Sequence, residues 1–207
     1  MQTTVVDHPL AAQLLTLLRD EATGRGQFRQ ALDDLSMMLI YEATRDLATT
    51  PILVETPLAP AAGVVVDEPP LVVPVLRAGL GMMGAAQRLL PFTATGYIGV
   101  ARNETTLQPE PYMNSVPDDL DGRPVLVLDP MLATGGSLEF TCRILAEHGA
   151  GTQIAVCVLA APEGISRLRG CGLVAHLVTA AIDERLNEDA YIVPGLGDAG
   201  DRQFGTA

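Results

Sequence analysis

Short apolar runs, each followed by a Gly-rich turn and a helical stretch, recur along the chain from residue 71 onward. They span residues 71–76, 93–100, 124–128, 153–159 and 173–178. Because these runs are nearly continuous in apolar residues and do not alternate, strands formed from them should be buried on both faces. Strands separated by helical stretches are typical of a parallel sheet with crossover helices. We therefore predict an α/β fold with a doubly wound, mainly parallel sheet, in a single domain covering residues 1–207.

Two helices and a hairpin are predicted before this sheet. A short helix follows Pro9, and a longer one follows it, with apolar stripes comprising Leu10, Leu14, Leu17 and Leu18 in the first and Phe28, Leu32, Leu35, Leu39, Ala43 and Leu47 in the second. Both sets have the spacing of one helix face. Between residues 51 and 63, three prolines and a glycine divide the chain into short extended pieces, which favour a β-hairpin or an irregular flap.

Composition disfavours several classes of protein. With 48% hydrophobic residues the chain can bury a substantial core, but its net charge of −12 would repel a phosphate backbone, and no Lys/Arg cluster is visible. The apolar stretches are too short to cross a bilayer, and the N-terminus lacks a basic segment followed by an apolar one. Cys142, Cys157 and Cys171 form no CxxC pair, which indicates buried thiols. We expect a cytoplasmic protein without nucleic-acid or membrane partners.

The most informative segment is a buried strand followed by an acidic residue, a glycine pair and a helix start. The strand ends at Asp129, and the chain continues through Thr134, Gly135, Gly136 and Ser137 into a helical stripe. In open α/β sheets, ligands bind beyond the carboxyl ends of strands, and the amides of a helix N-terminus bind anions. The loop lacks the Lys of a nucleoside-triphosphate loop. A tight turn with Ser137 as an ordinary N-cap is the structural alternative, but Asp129 favours a phosphate-monoester site.

These residues resemble a known signature. The sequence Asp-Pro-Met-Leu-Ala-Thr-Gly-Gly-Ser, residues 129–137, is similar to the ribose-phosphate motif of the type I phosphoribosyltransferases, in the form of their uracil-specific branch. The resemblance implies contacts to phosphoribosyl diphosphate from the whole segment, which comprises Asp129, Pro130, Met131, Leu132, Ala133, Thr134, Gly135, Gly136 and Ser137. Most members carry a second acidic residue where this chain has Pro130, so ribose-hydroxyl binding is expected to depend on Asp129.

Two arginines follow other predicted strands. Arg77 and Arg102 are similar to the family's two contacts with the diphosphate. A guanidinium can bind a diphosphate through paired hydrogen bonds, and Gly79 and Gly81 would allow the backbone to approach it closely. Residues 102–112 resemble the mobile loop that closes over the diphosphate, which would exclude water from a reactive sugar.

The C-terminal tail resembles the uracil-binding segment of the same family almost residue for residue. Residues 191–206 are rich in Gly and Asp and have little periodicity. The resemblance implies that Ile192, Gly197, Asp198 and Ala199 bind uracil, and that Asp198 also helps to bind the diphosphate sugar. Backbone groups can donate to the uracil carbonyls and accept from its N3–H, whereas cytosine would leave buried polar groups unpaired.

The resemblance implies transfer of ribose 5-phosphate from phosphoribosyl diphosphate to N1 of uracil, giving uridine monophosphate and pyrophosphate. Positive charge would develop at the anomeric carbon, so catalysis would be mainly electrostatic and positional, with Asp129, Arg77 and Arg102 as its catalytic residues. Mg²⁺ is the expected cofactor, held mostly by substrate oxygens and water, with no direct protein ligand assigned. We interpret the histidines as structural rather than catalytic; they are His8, His148 and His176.

Two alternatives stay open at this point. One is a pyrimidine-responsive RNA-binding regulator of the same fold, which the acidic charge balance disfavours. The other is a transferase for a different base, such as orotate or hypoxanthine. The expected enzyme would be a homodimer or a larger homo-oligomer with GTP as a candidate activator, and the sequence decides neither point.

Overall fold

A computed structural model describes residues 1–102 and 109–205 of the chain. The helices in this part are α1 (Pro9–Arg19), α2 (Arg25–Ala43), α3 (Met83–Leu89), α4 (Gly136–Glu147), α5 (Pro162–Cys171) and α6 (Ala199–Phe204). A 3₁₀ turn, Ala78–Met82, precedes α3. The strands are β1 (Gln2–Val5), β2 (Thr49–Glu55), β3 (Pro60–Val66), β4 (Leu71–Leu76), β5 (Ile98–Arg102), β6 (Pro109–Asn114), β7 (Val125–Leu128), β8 (Met131–Leu132), β9 (Gln153–Ala160), β10 (Val174–Ile182), β11 (Arg185–Leu186) and β12 (Ile192–Val193).

The main sheet is almost entirely parallel. Its strand order is β1-β10-β9-β7-β4-β5-β6, and the short β8 also pairs with β9. Every neighbouring pair is parallel except β5 and β6, which run antiparallel. β7, β9 and β4 are central in the sheet, so the segments that follow them lie side by side at its carboxyl edge.

Both faces of this sheet are covered by helices. Since successive side chains of a strand point to opposite sides, each central strand contributes to the core on both faces. On β7, Leu126 and Leu128 join one apolar cluster with α1, α2 and α3, whereas Val125 and Val127 join another with α4 and α5. The prediction of a doubly wound, mainly parallel α/β sheet is therefore confirmed. None of the helices formed by residues 1–102 and 109–205 combines the length and hydropathy needed to span a bilayer.

The two N-terminal helices form as predicted, except that one residue of each predicted apolar stripe lies outside the buried helix face. Leu10 in α1 is 57% exposed and does not belong to the core. The long stripe is buried through Ala43, where α2 ends, so Leu47 lies beyond the helix. At this end Thr44 Oγ1 donates to Ile40 O at 2.9 Å, and a hydroxyl bonded back to the helix competes with its continuation.

A β-hairpin forms between α2 and the sheet. β2 and β3 pair antiparallel from Thr49↔Val66 to Glu55↔Pro60, as the hairpin prediction required. Among the described residues the two strands belong to no larger sheet. Every β2 residue is exposed, including Leu53 at 72%.

Two strands differ from the sequence prediction. β1 was not predicted, yet it pairs in parallel with β10 at the sheet edge, where Thr4 Oγ1 lies 2.9 Å from His176 Nε2. The strand expected over residues 93–100 becomes regular only at Ile98, and Thr95 forms an isolated bridge. Gly96 in between approaches Val116 so closely that a Cβ would lie 3.0 Å from Val116 Cγ2. Residues 94–96 still bond to β4, since Val72 N donates to Ala94 O and Gly96 N donates to Val72 O, both at 3.0 Å.

Candidate active site

The loop after β7 carries the predicted phosphate-binding residues to the start of α4. Asp129 directly follows the strand, and its amide donates to Val156 O of β9 at 3.2 Å. Its Oδ1 accepts from Met131 N at 3.3 Å, which closes a local turn around Pro130. Residues 129 and 131–138 line a cavity of about 90 Å³ that includes Thr134 and Ser137 at its rim.

Gly135 begins α4 in a left-handed conformation. Its φ is 77°, and it is the N-cap of the helix without a side-chain capping hydrogen bond. A Cβ at this position would also lie 3.1 Å from Gly164 O of α5, so only glycine fits both the turn and the packing. Ser137 is therefore not the N-cap that the structural alternative required. Its side chain instead borders the phosphate-loop cavity and the neighbouring cleft.

The C-terminal tail forms the other wall of that cleft. The cleft has a volume of about 370 Å³. Its lining from the loop side comprises Ala78, Met131, Ala133, Thr134 and Ser137, and its lining from the tail comprises Asp189, Ala190, Tyr191, Ile192, Gly197, Asp198, Ala199 and Gly200. The structure thus brings together the predicted sugar-phosphate and base segments, which lie about sixty residues apart in the sequence.

An ion pair at the back of the tail fixes its first turn. Asp183 follows β10 and is buried; it accepts from Arg19 Nη1 at 2.8 Å and Nη2 at 2.5 Å, and from Gly195 N at 2.8 Å. Arg19 Nη1 also donates to Gly195 O at 2.8 Å. Burial alone would raise the pKa of Asp183, but the Arg19 guanidinium and the Gly195 amide hold that pKa below its ordinary value. Asp183 therefore stays ionised as a fixed acceptor.

A second arginine fixes the end of the tail. Arg202 in α6 donates to Leu196 O at 3.0 Å and to Asp20 O at 2.6 Å, and its guanidinium lies 4.3 Å from the centre of the Phe28 ring. Asp198 caps α6 by accepting from Asp201 N at 2.8 Å. The tail is consequently held from α1 and α2, although its composition predicts a flexible terminus.

The carboxyl group of Asp129 has a strongly altered environment. Burial raises the pKa of Asp129 to about 7, the hydrogen bond from Met131 N opposes this rise, and the nearby carboxylate of Asp198 adds to it. Near neutral pH the group is thus divided between its two protonation states. A carboxyl group in this condition at the mouth of an anion site is typical of functional residues.

The two predicted diphosphate arginines lie at the ends of neighbouring strands. Arg77 directly follows β4 and is exposed, and the adjacent Ala78 lines the cleft. Arg102 ends β5; its side chain lies outside the described part of the chain, as do residues 103–108 of the predicted closing loop.

The glycines after Arg77 allow close packing against neighbouring elements. A Cβ on Gly79 would collide with Leu128 O of β7, and one on Gly81 would collide with Gln203 of α6. Gln203 is fully buried and donates to Ala78 O at 3.1 Å. The turn after β4 is therefore held directly against the tail helix.

Several residues that line the cleft were not predicted from the sequence. Asp189, Ala190 and Tyr191 belong to the loop between β11 and β12, which returns to the cleft because Asn187 Oδ1 accepts from Tyr191 N at 2.8 Å and from Asp189 N at 3.1 Å. Ala190 has a φ of 66°, which is uncommon for a residue with a side chain. Asn187 was the signal in the sequence that could have predicted this turn, because Asn side chains often bond to nearby backbone groups in turns.

The fold is that of a class of proteins, the phosphoribosyltransferases. A solved purine phosphoribosyltransferase from Pyrococcus horikoshii superposes on 76% of this chain and 89% of its own with a TM-score of 0.50 and 16% identity, which shows a shared fold alone. Within this class the chain belongs to the uracil phosphoribosyltransferase family, whose model matches residues 5–206.

Individual relatives support the family over nearly the full length. The uracil phosphoribosyltransferase of Corynebacterium diphtheriae is 53% identical over 99% of this chain and 97% of its own. That of Streptomyces griseus subsp. griseus is 54% identical over 100% of both chains. The solved structure of the AQ2163 protein from Aquifex aeolicus covers 100% of this chain and 99% of its own, with a TM-score of 0.92 and 36% identity.

Proposed function

We propose that this chain catalyses the transfer of ribose 5-phosphate from phosphoribosyl diphosphate to N1 of uracil, giving uridine monophosphate and pyrophosphate. The observation that supports this most directly is the shared cleft, in which the phosphate loop before α4 faces the tail of residues 191–200. The two ligands would then bind side by side, as a reaction between them requires.

The phosphate loop would bind the 5′-phosphate through the amides at the start of α4 and the hydroxyls of Thr134 and Ser137. The helix end offers amide groups that have no acceptor within the helix, together with the positive end of its dipole. Asp129, one residue past β7, would accept hydrogen bonds from the ribose hydroxyls. These contacts would leave the anomeric carbon facing the tail across the cleft.

The tail would bind uracil through its backbone. Ile192, Gly197, Asp198 and Ala199 line the cleft, and the amide of Ala199 begins α6 without an intrahelical acceptor. Uracil presents a fixed pattern of hydrogen-bond donors and acceptors. Backbone groups held in place by Arg19 and Arg202 would therefore bind a base with a different pattern more weakly.

Departure of pyrophosphate leaves positive charge on the sugar, so the protein would act chiefly by stabilising the leaving group and holding the nucleophile in position. Arg77 and Arg102 would bind the diphosphate from the ends of β4 and β5. We propose no histidine as a base: His8 Nδ1 accepts from Leu10 N at 3.2 Å, His176 contacts Thr4 at the sheet edge, and His148 Nδ1 lies 2.8 Å from Pro117 O.

Mg²⁺ is the proposed cofactor, and the oxygen ligands at the cleft fit it. Within residues 1–102 and 109–205, no group of three His, Cys, Asp or Glu side chains could hold a metal ion. Asp198 and Asp129 would contribute at most isolated carboxylates beside a cation bound mainly by diphosphate oxygens and water. When bound, the cation would neutralise charge on the leaving group.

The direct test is formation of labelled uridine monophosphate from labelled uracil and phosphoribosyl diphosphate. We expect a rate with uracil that is far above the rates with orotate, hypoxanthine and cytosine, and its loss when EDTA removes the divalent cation. A faster rate with another base would contradict the proposed substrate. Tight binding of a pyrimidine-leader RNA at physiological salt, without turnover, would favour the regulator instead.

GTP activation and cytoplasmic location are further proposals. Adding GTP to the same assay tests the activation. A cytoplasmic location is proposed because phosphoribosyl diphosphate is a charged, hydrolysable metabolite.

Replacing Arg77 with Ala is expected to raise the KM for phosphoribosyl diphosphate roughly tenfold or more, because a charge-assisted contact contributes about 1.5–3 kcal/mol. The KM for uracil should change less than twofold, since Arg77 follows β4 whereas the base segment is the tail. Steady-state kinetics with each substrate varied in turn measures both constants. Equal changes in both would show that Arg77 does not bind the diphosphate.

We further propose that the enzyme is a homodimer joined through the β2–β3 hairpin. Its strands carry exposed apolar side chains on both faces. From the pairs Ile52↔Gly63 and Pro51↔Val64, one face has Ile52, Val54 and Val65 and the other has Leu53, Val64 and Val66, each at least 37% exposed. Exposed apolar patches of this kind mark protein interfaces, and an isolated hairpin is marginally stable in water.

Substituting Leu53 with Asp is expected to shift the protein from dimer to monomer at micromolar concentration, because a buried unpaired charge opposes association. Sedimentation velocity measures the distribution. Phe92, which is 93% exposed and lies outside the hairpin, supplies the control Phe92→Asp, which should leave the dimer intact. A monomeric wild type would refute the dimer, and equal dissociation of both variants would refute the hairpin as its interface.

A further inference from the structure

Arg167 of α5 lies directly beside the phosphate loop. A Cβ built on Gly135 would be 3.4 Å from Arg167 Cβ, and one built on Gly136 would be 3.5 Å from Arg167 Nη1. The aliphatic part of the side chain therefore covers the first glycine, and its guanidinium reaches the second. The family signature is confined to residues 129–137 and gives no indication of this residue.

Glu139 fixes the orientation of this guanidinium. Arg167 Nε donates to Glu139 Oε2 at 2.5 Å, and Glu139 lies in the first turn of α4, where its own amide donates to Gly135 O at 2.9 Å. The hydrogen bond from Arg167 is the main reason that the pKa of Glu139 lies below its ordinary value. Glu139 is thus ionised and links α5 to the phosphate loop.

Arg143 binds the other oxygen of the same carboxylate. Its Nη2 donates to Glu139 Oε1 at 2.8 Å from one turn further along α4. Together the two guanidinium groups and the carboxylate carry one net positive charge. In a chain of net charge −12 without a Lys in the loop, this local charge favours a phosphate dianion.

We propose that Arg167 is a further phosphate-positioning residue: it holds the Gly135–Gly136 turn in its binding geometry and supplies positive charge to the 5′-phosphate site. This inference rests on the proposed function only in the identity of the phosphate. The three atoms nearest to a Cβ built on Gly135 or Gly136 include atoms of Arg167 and none of Arg143, although both arginines contact the same carboxylate, so Arg143 is a matched control.

The test compares Arg167→Gln with Arg143→Gln, because both remove one positive charge and one hydrogen bond to Glu139. Inorganic phosphate is titrated into each full-length protein, and its Kd is measured by calorimetry. For Arg167→Gln we expect a rise of roughly fivefold or more, as for loss of a unit charge near an anion, and for Arg143→Gln about twofold or less. Equal Kd values for wild type and Arg167→Gln, or equal losses in both variants, would overturn the inference.

Kinetic constants separate positioning from general structural damage. Arg167→Gln should raise the KM for phosphoribosyl diphosphate and leave the KM for uracil and the midpoint of thermal unfolding nearly unchanged. Arg167→Lys keeps the charge and should bind phosphate within about threefold of wild type; a loss as large as that of Arg167→Gln would overturn the charge argument. Since phosphate titration requires no turnover, failure of the uracil assay would contradict the proposed function without affecting this result.

Discussion

Asp129→Asn is expected to lower kcat by about a hundredfold or more, as for loss of a charged group that acts on the reacting sugar. Asn can still accept from Met131 N, so the loop should keep its shape. Initial rates at saturating concentrations of both substrates measure the loss. A variant with a rate near that of the wild type would remove Asp129 from the catalytic residues.

The same substitution should stabilise the protein at alkaline pH. The pKa of Asp129 is about 7 in the folded chain against 3.8 ordinarily, so the folded state binds the proton more tightly. Folding stability is therefore lost as pH rises from about 4 to about 7 and stays reduced above that range, by roughly 2–4 kcal/mol. Asn does not titrate and avoids this cost.

Urea unfolding of both proteins at pH 5 and pH 8 tests this difference. The free energy of unfolding of Asp129→Asn minus that of wild type should be larger at pH 8 than at pH 5. This difference should level off above pH 7. In parallel, kcat/KM of the wild type should rise through about pH 7, as expected for an ionised acceptor, and the variant should lack this inflection. A pH-independent stability difference would contradict the raised pKa.

The second large effect is expected from Asp183→Ala. The substitution removes the acceptor of two Arg19 hydrogen bonds and of Gly195 N, all at a buried position. Breaking a buried ion pair costs about 3–5 kcal/mol, and because Arg19 keeps its bond to Gly195 O, we expect roughly 2–4 kcal/mol. Urea unfolding measures this loss directly.

The tail itself should loosen in Asp183→Ala, so the KM for uracil should rise more than the KM for phosphoribosyl diphosphate. Glu42 supplies a matched control, because its ion pair with Arg45 is exposed to solvent and should contribute little to stability. If Asp183→Ala and Glu42→Ala destabilised the protein equally, the Arg19–Asp183 pair would not be what holds the tail.

Much of the sheet could be predicted because buried parallel strands have an obvious apolar signal. β4, β7, β9 and β10 begin within one residue of their predicted starts. β1 was missed because an edge strand of four residues with half-exposed side chains carries little apolar signal. In the first half of the run at residues 93–100 the expected strand is present only as an isolated bridge at Thr95, with hydrogen bonds between Val72 and both Ala94 and Gly96.

The candidate site likewise has a part that could be predicted from the sequence and a part that could not. The loop of residues 129–137 is local and could be identified from its order of strand, acid and glycines. Arg19, Asp183 and Arg202 hold the tail through contacts that are distant in the sequence. In the Arg19–Asp183 and Arg202–Asp20 contacts the two residues lie more than 160 positions apart. Neither spacing nor composition links such residues. The raised pKa of Asp129 likewise depends on burial and on Asp198, which only the folded chain supplies.

The first turn of α5 contacts both walls of the cleft through two neighbouring residues. A Cβ on Gly164 would lie 2.5 Å from Ala133 O in the phosphate loop, and Glu163 Oε1 accepts from Leu186 N at 3.0 Å at the start of the β11–β12 hairpin. One helical turn thus connects the two sides of the cleft and would act as a spacer behind the two proposed substrates. The distance across which the glycosidic bond must form would be set by a part of the chain that touches neither of them.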